Sequence, residues 1–107
     1  MSIQTLIDLP QNIKRGALIR IRVSISHPME TGYRRSSEGE RLSRNIIKRF
    51  SCMLNGASIF SADLYPAVSA NPYFSFQHRA ARSGELTFLW EGDGGFKHEE
   101  RVFMSVQ

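Results

Sequence analysis

Between Leu18 and Ser26 the sequence alternates without a fault, Ile19, Ile21, Val23 and Ile25 interleaving with Arg20, Arg22, Ser24 and Ser26. A period of two marks a strand with one buried and one wet face, so the chain must supply a second apolar layer to cover the isoleucines. The alternation stops at His27-Pro28-Met29-Glu30-Thr31-Gly32-Tyr33-Arg34-Arg35. Pro28 cannot donate to a ladder and holds His27 extended, and Gly32 tolerates backbone angles other residues avoid, so this stretch is expected to leave the sheet.

Further strands follow on both sides. Thr5 to Leu9 is a short candidate ended by Pro10, and Lys14-Arg15-Gly16 is a turn. Ile47 to Leu54 puts Phe50, Cys52 and Leu54 on one face and Arg49, Ser51 and Met53 on the other. Asn55-Gly56 then predicts a type I′ hairpin with a return strand over Ser58 to Asp63, because that turn needs positive φ at both central residues. Leu64 to Pro72, with Pro66 and Pro72 flanking Ser69-Ala70-Asn71, reads as a loop without ladder bonds. Tyr73 to Ala80 alternates again with Phe74, Phe76 and His78 on one side, and Leu86, Phe88 and Trp90 make the next buried stripe. After the Gly92-Asp93-Gly94-Gly95 turn, Val102, Met104 and Val106 close the last strand.

One region supports two readings. Over Ser37 to Phe50, Ser37 with Glu40 fits a capping box and Leu42, Ile46 and Phe50 recur every four residues, which suits a helix. A loop entering a strand near Ile46 fits equally, and a short helical turn before the strand would satisfy both. Short strands at hairpin spacing with no crossover helices predict an all-β fold, an immunoglobulin-like antiparallel β-sandwich of about seven strands with Phe88 and Trp90 in its core. At 107 residues and 41% hydrophobic content, the chain suits a single domain over residues 1–107.

The net charge of +4 is uneven: residues 1–50 hold ten Lys or Arg against four acids, whereas residues 51–107 hold four against six. The block from Arg34 to Arg49 dominates. Glutamates interrupt it at 38 and 40, and no aromatics interleave as a base-stacking platform requires, so nucleic acid is not the expected partner. No apolar run approaches the roughly 20 residues that span a bilayer. Residues 1–14 lack the basic n-region of a signal peptide. The single cysteine, Cys52, shares a face with Phe50 and Leu54 and is expected to be an inert core thiol, the alternative being an edge thiol open to an interchain disulfide. His27, His78 and His98 lack partners at helical spacing for a metal clamp, His27-x-x-Glu30 offering at most two ligands, and no nucleophile elbow, phosphate loop or dinucleotide motif appears, so no catalytic residue, cofactor or metal is expected. Tyr33 and Tyr73, in or beside loops, are candidates for presentation to a partner.

Four segments carry a family likeness: His27-Pro28-Met29-Glu30-Thr31-Gly32, Arg44-Asn45-Ile46-Ile47, Phe60-Ser61-Ala62-Asp63-Leu64 and Ser69-Ala70-Asn71-Pro72-Tyr73. Together they resemble SoxZ, the Z subunit family of the bacterial thiosulfate-oxidising (Sox) system, over nearly the whole chain from Gly16. The resemblance implies an immunoglobulin-like, non-catalytic subunit of the SoxYZ carrier complex. Its partner would be SoxY, whose C-terminal Gly-Gly-Cys-Gly-Gly arm carries sulfur intermediates, and other Sox enzymes would dock on the pair. This sequence ends Phe103-Met104-Ser105-Val106-Gln107, without such an arm, so the carrier thiol is expected on the partner. The family works in the periplasm, which implies export bound to SoxY. Partner-binding residues are expected in the two unusual loops: Pro28, Met29, Glu30, Thr31, Gly32, Tyr33, Arg34 and Arg35, and Ser69, Asn71, Pro72 and Tyr73. A homodimer of the isolated chain stays open, as does a stand-alone metal-binding redox domain of superoxide-reductase type, a family with four His and one Cys where this chain has three His.

Overall fold

A computed structural model describes residues 3–65, 68 and 70–107. The alternating segments form the strands β1 (Thr5–Asp8), β2 (Leu18–Ile25), β3 (Ile47–Leu54), β4 (Ala57–Asp63), β5 (Tyr73–Arg79), β6 (Gly84–Gly92) and β7 (Lys97–Met104). They pair as two antiparallel sheets, β1-β2-β5 and β4-β3-β6-β7, in the sandwich that the alternation predicts. Ile19, Ile21, Val23 and Ile25 are buried from one sheet, and Phe50, Cys52, Leu54, Leu86, Phe88 and Trp90 from the other. Aromatic rings bind the layers together: Phe50 stacks on Phe74 of the opposite sheet at 4.7 Å between centroids, and Phe60 on Phe76 at 4.3 Å. Offset rings at this spacing attract beyond their shared burial.

The Asn55-Gly56 hairpin forms as expected, with φ of 49° and 85°. The helix over Ser37 to Phe50 does not form. A register shift between Ile47 and Arg49 inserts an extra residue into β3, so Ile47 and Phe50, three apart, both face the core. That bulge reproduces apolar spacing that a helix would also give. Residues 30–45 instead fold back on themselves, with antiparallel bridges Glu30↔Asn45 and Arg35↔Arg41. The last strand stops at Met104, and Val106 pairs with Ile13 in a parallel bridge while its N–H donates to Ser83 Oγ at 2.7 Å.

Candidate functional site

Antiparallel pairing brings four segments to one end of the sandwich: residues 26–46, residues 70–72 before β5, the 3₁₀ turn Asp93–Gly95 and the approach to β1. His27, the second residue past β2, joins two of them. Its N–H donates to Asn71 Oδ1 at 2.9 Å and its carbonyl accepts from the Asn71 N–H at 2.7 Å. Asn71 holds φ of 54°, a left-handed conformation that asparagine accepts more readily than most residues. The ring of His27 is buried edge-on to Phe96 at 5.1 Å. Its Nδ1 accepts from the Met29 N–H at 3.0 Å, which places the proton of the neutral ring on Nε2. Burial pushes its pKa below 6.5, and the nearby Asp93 carboxylate opposes that shift.

Around His27 lies an open hollow of about 490 Å³, lined also by Ile3, Ser26, Pro28, Asn45, Ala70, Asn71 and Phe96. From its edge the 30–45 arm projects. Glu30 and Asn45 exchange backbone bonds at 2.8 Å, Leu42 N–H reaches the Arg34 carbonyl at 2.9 Å, and Ser36 N–H closes the tip on Glu40 at 2.7 Å. Arg34 donates to Glu30 Oε1 at 2.6 and 3.1 Å and so holds that carboxyl below its usual range. At the base of the arm Arg44 grips both oxygens of Asp93 at 2.8 and 2.9 Å, and Asp93 Oδ2 also accepts the Ile46 N–H at 3.1 Å. The Arg44 bonds first, and the Ile46 N–H next, depress the Asp93 pKa.

The two loops singled out in the sequence therefore meet, but their residues divide. Pro28, Arg34, Arg35 and Asn71 are exposed, with Tyr33 at 77% and Tyr73 at 59% the most presented aromatics of this end after Tyr65 is set aside. Glu30, Thr31 and Gly32 are half-buried. Met29 and Pro72 are interior. Met29 carries φ of 51° and turns its sulfur inward to accept the Ile47 N–H at 3.3 Å, so it anchors the loop where the sequence placed it among presented residues. Ser69, with Pro66, lies outside the described residues. Sequence reasoning missed Phe96, Asn45 and Asp93: a Gly-Asp-Gly-Gly run signals a turn, and nothing local links Asp93 to an arginine 49 positions away.

The histidines are dispersed, His27 at this end, His78 on β5 and His98 on β7, and among the described residues no three His, Cys, Asp or Glu side chains group as a metal site would require. Cys52 is fully buried, and desolvation pushes its thiol pKa up to about 12. Among the described residues no helix is long and apolar enough to cross a membrane.

Among solved structures, the superoxide reductase (neelaredoxin) from Ignicoccus hospitalis is similar, with a TM-score of 0.74 and 18% identity over 96% of this chain and 80% of that one. A candidate superoxide reductase from Thermotoga maritima gives 0.73 and 15% identity over 96% of this chain and 85% of that one. At such identities the likeness is one of fold. No curated protein matches the chain. Residues 7–102 match the family model described as Sulphur oxidation protein SoxZ, nearly the full length, and the chain belongs to the SoxZ family.

Proposed function

We propose that this chain is the non-catalytic partner subunit of a two-chain sulfur carrier, binding a SoxY-type subunit that supplies the reactive thiol during thiosulfate oxidation, in the periplasm. The observation that carries the division of labour is the position of Cys52. Thiolates, not thiols, attack and carry sulfur, and a thiol with pKa near 12 inside an aromatic core is neither ionised nor reachable at neutral pH. Membership in a sulfur-oxidation family with its own thiol sealed leaves the chain a structural and recognition task. The hollow beside His27 suits such a task, since Tyr33 and Tyr73 are exposed on the segments that continue from its lining, and exposed tyrosines are frequent interface anchors.

Co-expression with a SoxY-type protein, followed by size exclusion and intact mass, tests the reading. A stable one-to-one complex is expected, and separate elution of the two chains would refute it. Within the complex, Tyr73→Ala should weaken affinity by at least about tenfold, the scale of an aromatic anchor. Arg34→Ala should cost less, since Glu30 already engages two of the five guanidinium N–H donors. Affinity unchanged in both variants would remove these loops from the interface.

A further inference from the structure

We propose that the SoxY-type subunit sits on the outer face of the β1-β2-β5 sheet and meets it with carboxylates. This rests on the function proposed above and adds the surface. The strand register sets Leu6, Ser24 and Tyr73 in one row across that face, followed by Asp8, Arg22 and Ser75, then Arg20 beside Gln77, then Leu18 beside Arg79. Leu6, Tyr73 and Leu18 are 67%, 59% and 53% exposed, so both ends of the face present bare apolar groups. Single exposed leucines need no explanation, but an exposed tyrosine on the same face as three arginines brings together two residue types that interfaces favour.

The arginines identify the occupant. Arg20 donates to Ser75 Oγ at 2.9 Å, Arg79 to the Gly16 carbonyl at 2.8 Å, and Arg22 lies 3.9 Å from Asp8. Among the described residues none of the three has a carboxylate within direct hydrogen-bonding range. The outer face of the other sheet differs, because its arginines already hold close carboxylate partners: Arg49 with Asp63 at 2.9 Å, and Arg101 with Glu99 at 3.2 Å. One face is neutralised within the chain and the other keeps a net positive row. A partner carrying acids opposite that row gains attraction and directional pairing there that the second face does not offer.

Size extends the contact in a definite direction. Strands of four, eight and seven residues, spaced about 4.8 Å apart, cover at most roughly 14 by 26 Å. A standard interface needs about 800 Å² on each partner, so the contact must run past the sheet. The Leu6 and Tyr73 end leads through a depression lined by Gln4, Leu6, Ser24, Ser26 and Asn71 to the hollow beside His27. The face and the loop end form one continuous surface.

The test measures affinity between this chain and the SoxY-type subunit for the wild type, for the triple reversal Arg20→Glu, Arg22→Glu, Arg79→Glu, and for the control Arg49→Glu, Arg101→Glu on the other face. The triple reversal is expected to lose at least about a hundredfold in affinity and to lose the salt-sensitive part of the association rate, with the control within about threefold. A triple variant that binds like the wild type overturns the placement while leaving the proposed function intact. Failure of the wild type to bind overturns both. Arginine footprinting with phenylglyoxal on the wild-type complex removes dependence on how variants fold: Arg20, Arg22 and Arg79 should be shielded and Arg49 and Arg101 not, and equal labelling would overturn the proposal. Self-association of the isolated chain that Leu6→Asp with Tyr73→Asp abolishes, while partner binding persists, would assign the face to a second copy instead.

Discussion

Cys52 and His27 show how burial sets the behaviour of single residues here. The Cys52 thiol is enclosed between two sheets and loses the solvation that a thiolate needs. Native protein should therefore resist a thiol reagent at pH 8 and react at the rate of global unfolding, with full reactivity in denaturant; fast stoichiometric labelling of the native state would contradict this. His27 and His78 both have pKa values lowered from 6.5 by desolvation. As pH falls below about 6.5 the unfolded chain takes up protons that the folded chain refuses, so stability is full above that value and declines toward the lowered folded pKa. The urea midpoint should drop between pH 7.5 and 5.5, and His27→Gln should flatten the drop. A midpoint that is level or rises on acidification would reverse the sign. At this scale the sequence was informative where a residue sits in a clean alternation, as Cys52 does, and silent where burial comes from a loop folding over it, as for His27 and Met29.

The elements differ in how openly the sequence announces them. Alternation in β2, the Asn55-Gly56 turn and the Leu86, Phe88, Trp90 stripe each specify a strand locally, because side chains two apart share a face and the turn residues have few other uses. Exposed Leu18 was legible too, being in phase with Arg20 and Arg22. The 30–45 arm was not. Its antiparallel bridges are set by tertiary anchoring, and the β3 bulge gives Ile47 and Phe50 a helical interval without a helix. The strongest anchor is Asp93, which ties Arg44 and the Ile46 N–H to the β6-β7 turn. Gly92 permits the close approach, since a Cβ there would collide with the Ile46 carbonyl. Asp93→Ala should release the base of the arm, and limited trypsin digestion should then cut at Arg35 and Arg41 several times faster than in the wild type with the core strands intact. An unchanged cleavage rate would mean that the arm is held by something else.

The whole molecule measures 57 × 23 × 20 Å, whereas an eight-residue strand spans only about 27 Å, so much of its length belongs to the loops at the two ends. A small sandwich that invests so much chain at one end, beside a sheet face that sets Arg20, Arg22 and Arg79 against Asp8 alone, is built for contact. Its fold is shared with superoxide reductases, yet its histidines are spread over separate elements. On the function proposed above, this chain gives surface and its companion gives chemistry. Intact mass of both chains of the complex, taken after turnover of thiosulfate by the remaining Sox enzymes, tests it most directly. All added sulfur should appear on the SoxY-type subunit, with this chain unchanged at 12.2 kDa; a sulfur adduct on Cys52 would contradict the account.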